Sequence, residues 1–136
     1  VTSNIGISLP HDSAALHVSG TALYIDDMPE PRALLHAYIG LSTQAHARIT
    51  RRDLSGVAGA PGVVAVISAA DVPGVNDIGP SLPGDPIFAD DTTEYHGQAL
   101  FAVAATSAAA ARAAAALAVI EYEPLPAILT LDEALA

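Results

Sequence analysis

The sequence contains no cysteine, which excludes disulfides, thiolate zinc sites and iron–sulfur clusters held by this chain. Lysine is missing as well. Five arginines face 15 acidic residues, for a net charge of -10. So few cations give no basic stripe to displace counterions from a phosphate backbone, and nucleic acid is not an expected partner. There is no long uninterrupted apolar run either. The most extended one, Ser107 to Ile120, is broken by Arg112 and is too short to span a bilayer, so no membrane partner is expected. The first residues, Val1-Thr2-Ser3-Asn4, lack the basic and apolar regions of a secretory signal. With the absence of cysteine, this fits a cytoplasmic location.

What is present describes a folded acidic domain. A hydrophobic share of 51% and a mean hydropathy of +0.42 exclude a disordered acidic tail. At 136 residues the chain has room for one compact domain, 1–136, able to bury about two-thirds of its unfolded surface. It begins without methionine and stops within a helical turn, as a piece of a longer subunit would.

Composition and spacing predict an α+β class. Gly20 to Ile25, Leu34 to Leu41, Ala47 to Leu54, Val63 to Ile67, Thr92 to Tyr95, Ala99 to Ala105 and Val119 to Glu123 are strand candidates. Leu34 to Leu41 is mostly apolar, as in a strand covered on both faces. The short spacer Ser42 to His46 predicts a hairpin with the strand that follows. Ala99 to Ala105 is continuously apolar and suits a central strand. The alanine run from Ala108 to about Ala118 predicts a thin helix lying close on a sheet, capped by Thr106 or Ser107. Thr130 with Glu133 predicts a capping box opening a last helix at Leu131. From Pro73 to Asp91 runs a stretch with four prolines and three glycines, a length that marks contact or lid loops.

No pattern of catalytic residues emerges. Histidines 11, 17, 36, 46 and 96 never fall at the i, i+4 spacing of a helical metal site. Asp26-Asp27 and Asp90-Asp91 sit beside turn residues, where aspartate is favoured by local backbone hydrogen bonds. There is no nucleophile elbow, no P-loop and no dinucleotide fingerprint. Gly97-Gln98 reads as a bulge feeding the central strand or as a contact to a ligand or a partner. Arg48, Arg51 and Arg52 read as a solvated strand edge or as partners for acids of a neighbouring domain.

Taken in order, several segments carry a resemblance: His11-Asp12-Ser13-Ala14, His17-Val18-Ser19-Gly20-Thr21-Ala22-Leu23-Tyr24-Ile25-Asp26-Asp27 with Pro29 and Pro31, Leu35-His36-Ala37, Ser42, and Ala45-His46-Ala47-Arg48-Ile49. Pro61-Gly62-Val63, Ala69-Ala70-Asp71-Val72-Pro73-Gly74-Val75-Asn76, Tyr95-His96-Gly97-Gln98 and Ile120-Glu121-Tyr122-Glu123-Pro124-Leu125-Pro126-Ala127 continue it. The whole resembles the N-terminal a/b hammerhead domain of the molybdopterin-binding large subunit in the aldehyde oxidase and xanthine dehydrogenase family, most of all its bacterial split-subunit members. The resemblance implies an α+β hammerhead-type domain, a mixed sheet of short strands with the alanine-rich helix packed on it. It also implies an oxidoreductase of purine catabolism, a molybdenum hydroxylase that converts xanthine to urate. Molybdenum–molybdopterin would be bound by the remaining region of the same subunit, with iron–sulfur clusters and FAD in a partner subunit or segment, and the holoenzyme would be an oligomer.

The family's molybdenum-site residues lie beyond a domain of this kind. No catalytic, cofactor-binding or metal residue is therefore expected here, and the isolated domain is expected to be inactive. Gly84-Asp85-Pro86 stands where many relatives have Asp-Glu-Pro, and Ala99 stands where proline follows the glutamine. The alternatives are a stand-alone small-molecule binding domain with Pro73–Asp91 as its lid, or the equivalent domain of an aldehyde oxidase.

Overall fold

The computed structural model describes residues 5–135, which divide into two compact units at Arg32/Ala33. The first unit carries one short helix, α1 (Ala14–Ser19), closed by Gly20 in the left-handed conformation at φ 72°. Gly20 to Ile25 is not a strand. Residues 25–27 form a 3-10 turn whose Asp27 carboxylate accepts the Tyr24 N–H at 3.0 Å. The local aspartate bond competes with extension, and the first unit has no strand among its described residues to pair with it.

The second unit contains β1 (His36–Leu41), β2 (Ala47–Asp53), α2 (Ser55–Ala58), β3 (Val63–Ser68), β4 (Thr92–Thr93), β5 (Ala99–Ala105), α3 (Ala108–Ala115), β6 (Val119–Pro124) and α4 (Leu131–Leu135). Where the sequence suggested one mixed sheet, the strands divide between two antiparallel ones, ordered β1-β5-β3 and β4-β2-β6. The expected β1–β2 hairpin does not form. The two strands enter different sheets because Ser42 is captured elsewhere: its N–H donates to Gln98 O at 2.8 Å, and its carbonyl accepts from Gly97 N–H at 2.9 Å. Chain proximity, the usual guide to pairing, yields here to a better partner.

β5 is central, as its unbroken apolar run implies. Leu100, Phe101, Val103 and Ala105 are all buried. Gly40 on β1 opposes Phe101, and a methyl group on it would lie 2.2 Å from the ring. Glycine is required there for the ring to rest on the strand. α3 packs on β1 and β5 through Ala111 and Ala114, whose small side chains permit close approach. Its first turn is capped by Ser107, which accepts the Ala110 N–H at 3.1 Å. Tyr38, Ile39 and Leu41 of β1 remain partly or largely exposed, so this strand is not covered on both faces. α4 carries the predicted capping box, with Glu133 accepting the Thr130 N–H at 3.0 Å and Thr130 Oγ1 accepting the Glu133 N–H.

Candidate functional site

The Pro73–Asp91 segment has no helix or strand, yet its own side chains fasten it. Asn76 behaves like a strand partner for Phe88: its Nδ2 donates to Phe88 O at 2.7 Å and its Oδ1 accepts the Phe88 N–H at 3.1 Å. Asp77 accepts the N–H groups of Gly79 and Gly84 at 2.7 and 2.6 Å, which holds its carboxyl below the ordinary aspartate range. Above that clasp Leu82 and Val75 are exposed, while Phe88 below it is buried with Ala69 and Ala102. The exit of the loop is gripped by Arg52, which donates to the carbonyls of Ala89 and Asp90 while its Nε is buried without a partner.

The arginine cluster is engaged within the chain, with Arg48 and Arg51 still more than half exposed. β2 is the middle strand of its sheet, and its arginines pair with acids of this chain. Arg48 meets Glu123 at 3.4 Å, Arg51 meets Glu121 at 3.1 Å and Asp53 at 3.0 Å, and Arg52 meets Asp90 at 3.7 Å. Asp53 is held below its ordinary range chiefly by the Ser55 hydroxyl and N–H and then by Arg51. Gly97 adopts a φ of 90°, and Gln98, 2% exposed, accepts the Glu94 N–H through Oε1 at 2.8 Å. That pair serves the turn into β5, with Gln98 buried and the Gly97 position facing open space.

His46, Glu94 and His96 share a groove of about 490 Å³, but His46 Nδ1 is engaged with Pro126 O. The His11 and His17 rings lie 6.0 Å apart between centroids, tilted by 59°, and His17 Nδ1 bonds the Tyr24 hydroxyl. Among the described residues no three His, Cys, Asp or Glu side chains converge to hold a metal ion.

A second groove, of about 420 Å³, was missed by the sequence reading. It runs between β1, the end of α3 and β6, and is lined by Tyr38, Gly40, Leu41, Phe101, Arg112 and Tyr122 among others. Arg112 lies over the Tyr38 ring, 5.8 Å from its centroid, and among the described residues it meets no carboxylate. The sequence signal was a lone cation within an alanine run, with no acid three or four positions away to pair with it.

The family model for "Aldehyde oxidase and xanthine dehydrogenase, a/b hammerhead domain" matches residues 19–126. The chain belongs to this family. It is 43% identical over 130 residues to a xanthine dehydrogenase of Oryza sativa subsp. japonica, covering 96% of this chain and 10% of that protein. Aldehyde oxidase 4 of Mus musculus is 39% identical over 132 residues, with the same coverage of 96% and 10%. Among solved structures, the aldehyde oxidoreductase of Desulfovibrio desulfuricans superposes with a TM-score of 0.79 at 34% identity, over 96% of this chain and 16% of that one. This hammerhead chain thus spans about a tenth of the length of its curated relatives. No helix among the described residues is long and apolar enough to cross a membrane.

The residues present do not fit the molybdenum centre that such a family implies. Among the described residues the one fully buried side-chain amide, Gln98, already spends its oxygen on the chain's own backbone, and no ligand cluster converges.

Proposed function

We propose that this chain is the scaffold and interface domain of the large subunit of a molybdenum hydroxylase, a cytoplasmic xanthine dehydrogenase that converts xanthine to urate in purine catabolism. The domain supplies no catalytic, cofactor-binding or metal residue. The molybdenum–molybdopterin centre belongs to the remaining region of the same subunit, and iron–sulfur clusters and FAD belong to a partner subunit or segment of an oligomeric holoenzyme. The observation that carries this reading is the family match over residues 19–126, joined to relatives about ten times as long as this chain. Its internal chemistry supports the reading, because Asn76, Asp77 and Gln98 are spent on fastening loops and strands.

The purified 136-residue chain is expected to retain no molybdenum, measured by elemental analysis, and to produce no urate from xanthine. Stoichiometric molybdenum or urate formation would overturn the proposal. The aldehyde oxidase reading has its own support in the mouse relative and the aldehyde oxidoreductase structure. Assaying the full-length enzyme with xanthine and with an aromatic aldehyde separates the two readings. Xanthine turnover is expected, and turnover of the aldehyde alone would replace the first substrate with the second.

A further inference from the structure

β1 is an outer strand of its sheet, and beyond the β5 ladder its backbone has no hydrogen-bond partner among the described residues. Exposed edges of this kind are usually guarded by charge or proline. β6, an outer strand of the other sheet, carries Glu121, Glu123 and Pro124. β1 carries none: His36-Ala37-Tyr38-Ile39-Gly40-Leu41 has no acid, no lysine or arginine and no proline. The groove of about 420 Å³ lies directly beside this unguarded edge.

The charge of the groove says what fits it. No carboxylate lines it, and Arg112 is its one guanidinium. The arginines of β2 all spend their charge on acids of the chain, whereas Arg112 spends its own on an aromatic ring. Against the chain's net charge of -10, Arg112 is the local feature of this groove that favours an incoming negative group. A second copy would add a further -10 and present its own β1, which has no carboxylate to offer Arg112.

We propose that the free edge of β1 and its groove form a strand-addition site. Its occupant is an extended protein segment that pairs with β1, places alternate apolar side chains against Tyr38, Leu41 and Tyr122, and sets one Asp or Glu at Arg112. The inference deepens the interface reading above and rests on it, since it names where a neighbouring segment joins.

The test uses the 136-residue chain and a blocked nine-residue peptide of alternating valine and threonine with one central aspartate. The readouts are amide exchange and binding by NMR. The aspartate peptide is expected to protect amides within 36–41 and to bind about fivefold tighter than its central-lysine counterpart, as one exposed ion pair allows. Arg112→Gln, on an exposed helix position, is expected to erase that preference while leaving the fold intact. N-methylation of alternate peptide amides is expected to abolish binding. Protection of residues 63–68 instead of 36–41, equal binding of the two peptides, no binding at millimolar peptide, or dimerisation of the chain through β1 would each overturn the site. Those failures leave the scaffold reading standing, because that reading falls only to molybdenum retention or urate formation.

Discussion

The two sheets of the second unit are held by different forces. The sheet centred on β5 is cemented by burial: Phe101 and Val103 face α3, and none of its strands carries an acid or an arginine. In the sheet centred on β2, the cross-strand contacts at the surface are ionic, with Arg48 and Arg51 opposite Glu123 and Glu121. Burial is proportional to area and insensitive to salt, whereas exposed ion pairs are weak and screened. The first sheet therefore carries stability, and the second owes its order to the part of β2 and β6 that turns inward, Ile49, Ile120 and Tyr122.

The largest expected effect is at the centre of the first sheet. Phe101→Ala should cost about 3–5 kcal/mol in urea unfolding, through lost burial and the cavity left behind. Gly40→Ala should cost about 1–3 kcal/mol, because its methyl group would overlap the Phe101 ring. Combined with Phe101→Leu, that penalty should shrink, and strict additivity of the two changes would show that the ring is not what Gly40 accommodates.

A smaller, local effect concerns Asp77. Its folded pKa lies below the unfolded value, so its contribution is present above the ordinary aspartate range and is lost as the pH falls through the folded value. Amide exchange at Gly79 and Gly84 should accelerate in acid before the β5 amides respond, and Asp77→Asn should blunt that pH dependence. Simultaneous loss of protection in the loop and in β5 would show that the clasp is not an independent unit. Smallest of all, Arg48→Ala should cost less than about 1 kcal/mol, and the difference should vanish at high salt. An effect as large as that of Gly40→Ala would erase the contrast between the sheets.

Much of this fold was legible where one residue type decides locally. The run Ala99–Ala105 reads as a central strand, Ser107 marks the start of α3, and Thr130 with Glu133 opens α4. Topology was less legible, because β1 and β2 are adjacent in sequence and only the Ser42 bonds to Gly97 and Gln98 reveal that they part. The strand expected at Gly20 to Ile25 failed for a related reason: short apolar runs become strands only when a partner is supplied. Pro73–Asp91 could be recognised as an unusual loop by composition. Its fastening depends on Asn76 reaching Phe88, twelve residues away, a pairing with no local periodicity. The groove at Arg112 is assembled from segments spread between Tyr38 and Tyr122, so no window of sequence contains it.

The clasp of Asn76 and Asp77, with Arg52 gripping the loop's exit, leaves Ser81 and Leu82 on a stem secured from beneath. That makes the apex a permissive graft point. A fluorophore or short epitope inserted between Ser81 and Leu82 would report on the environment of this region while the anchoring bonds at Phe88 and Ala89 keep the neighbouring strands in register.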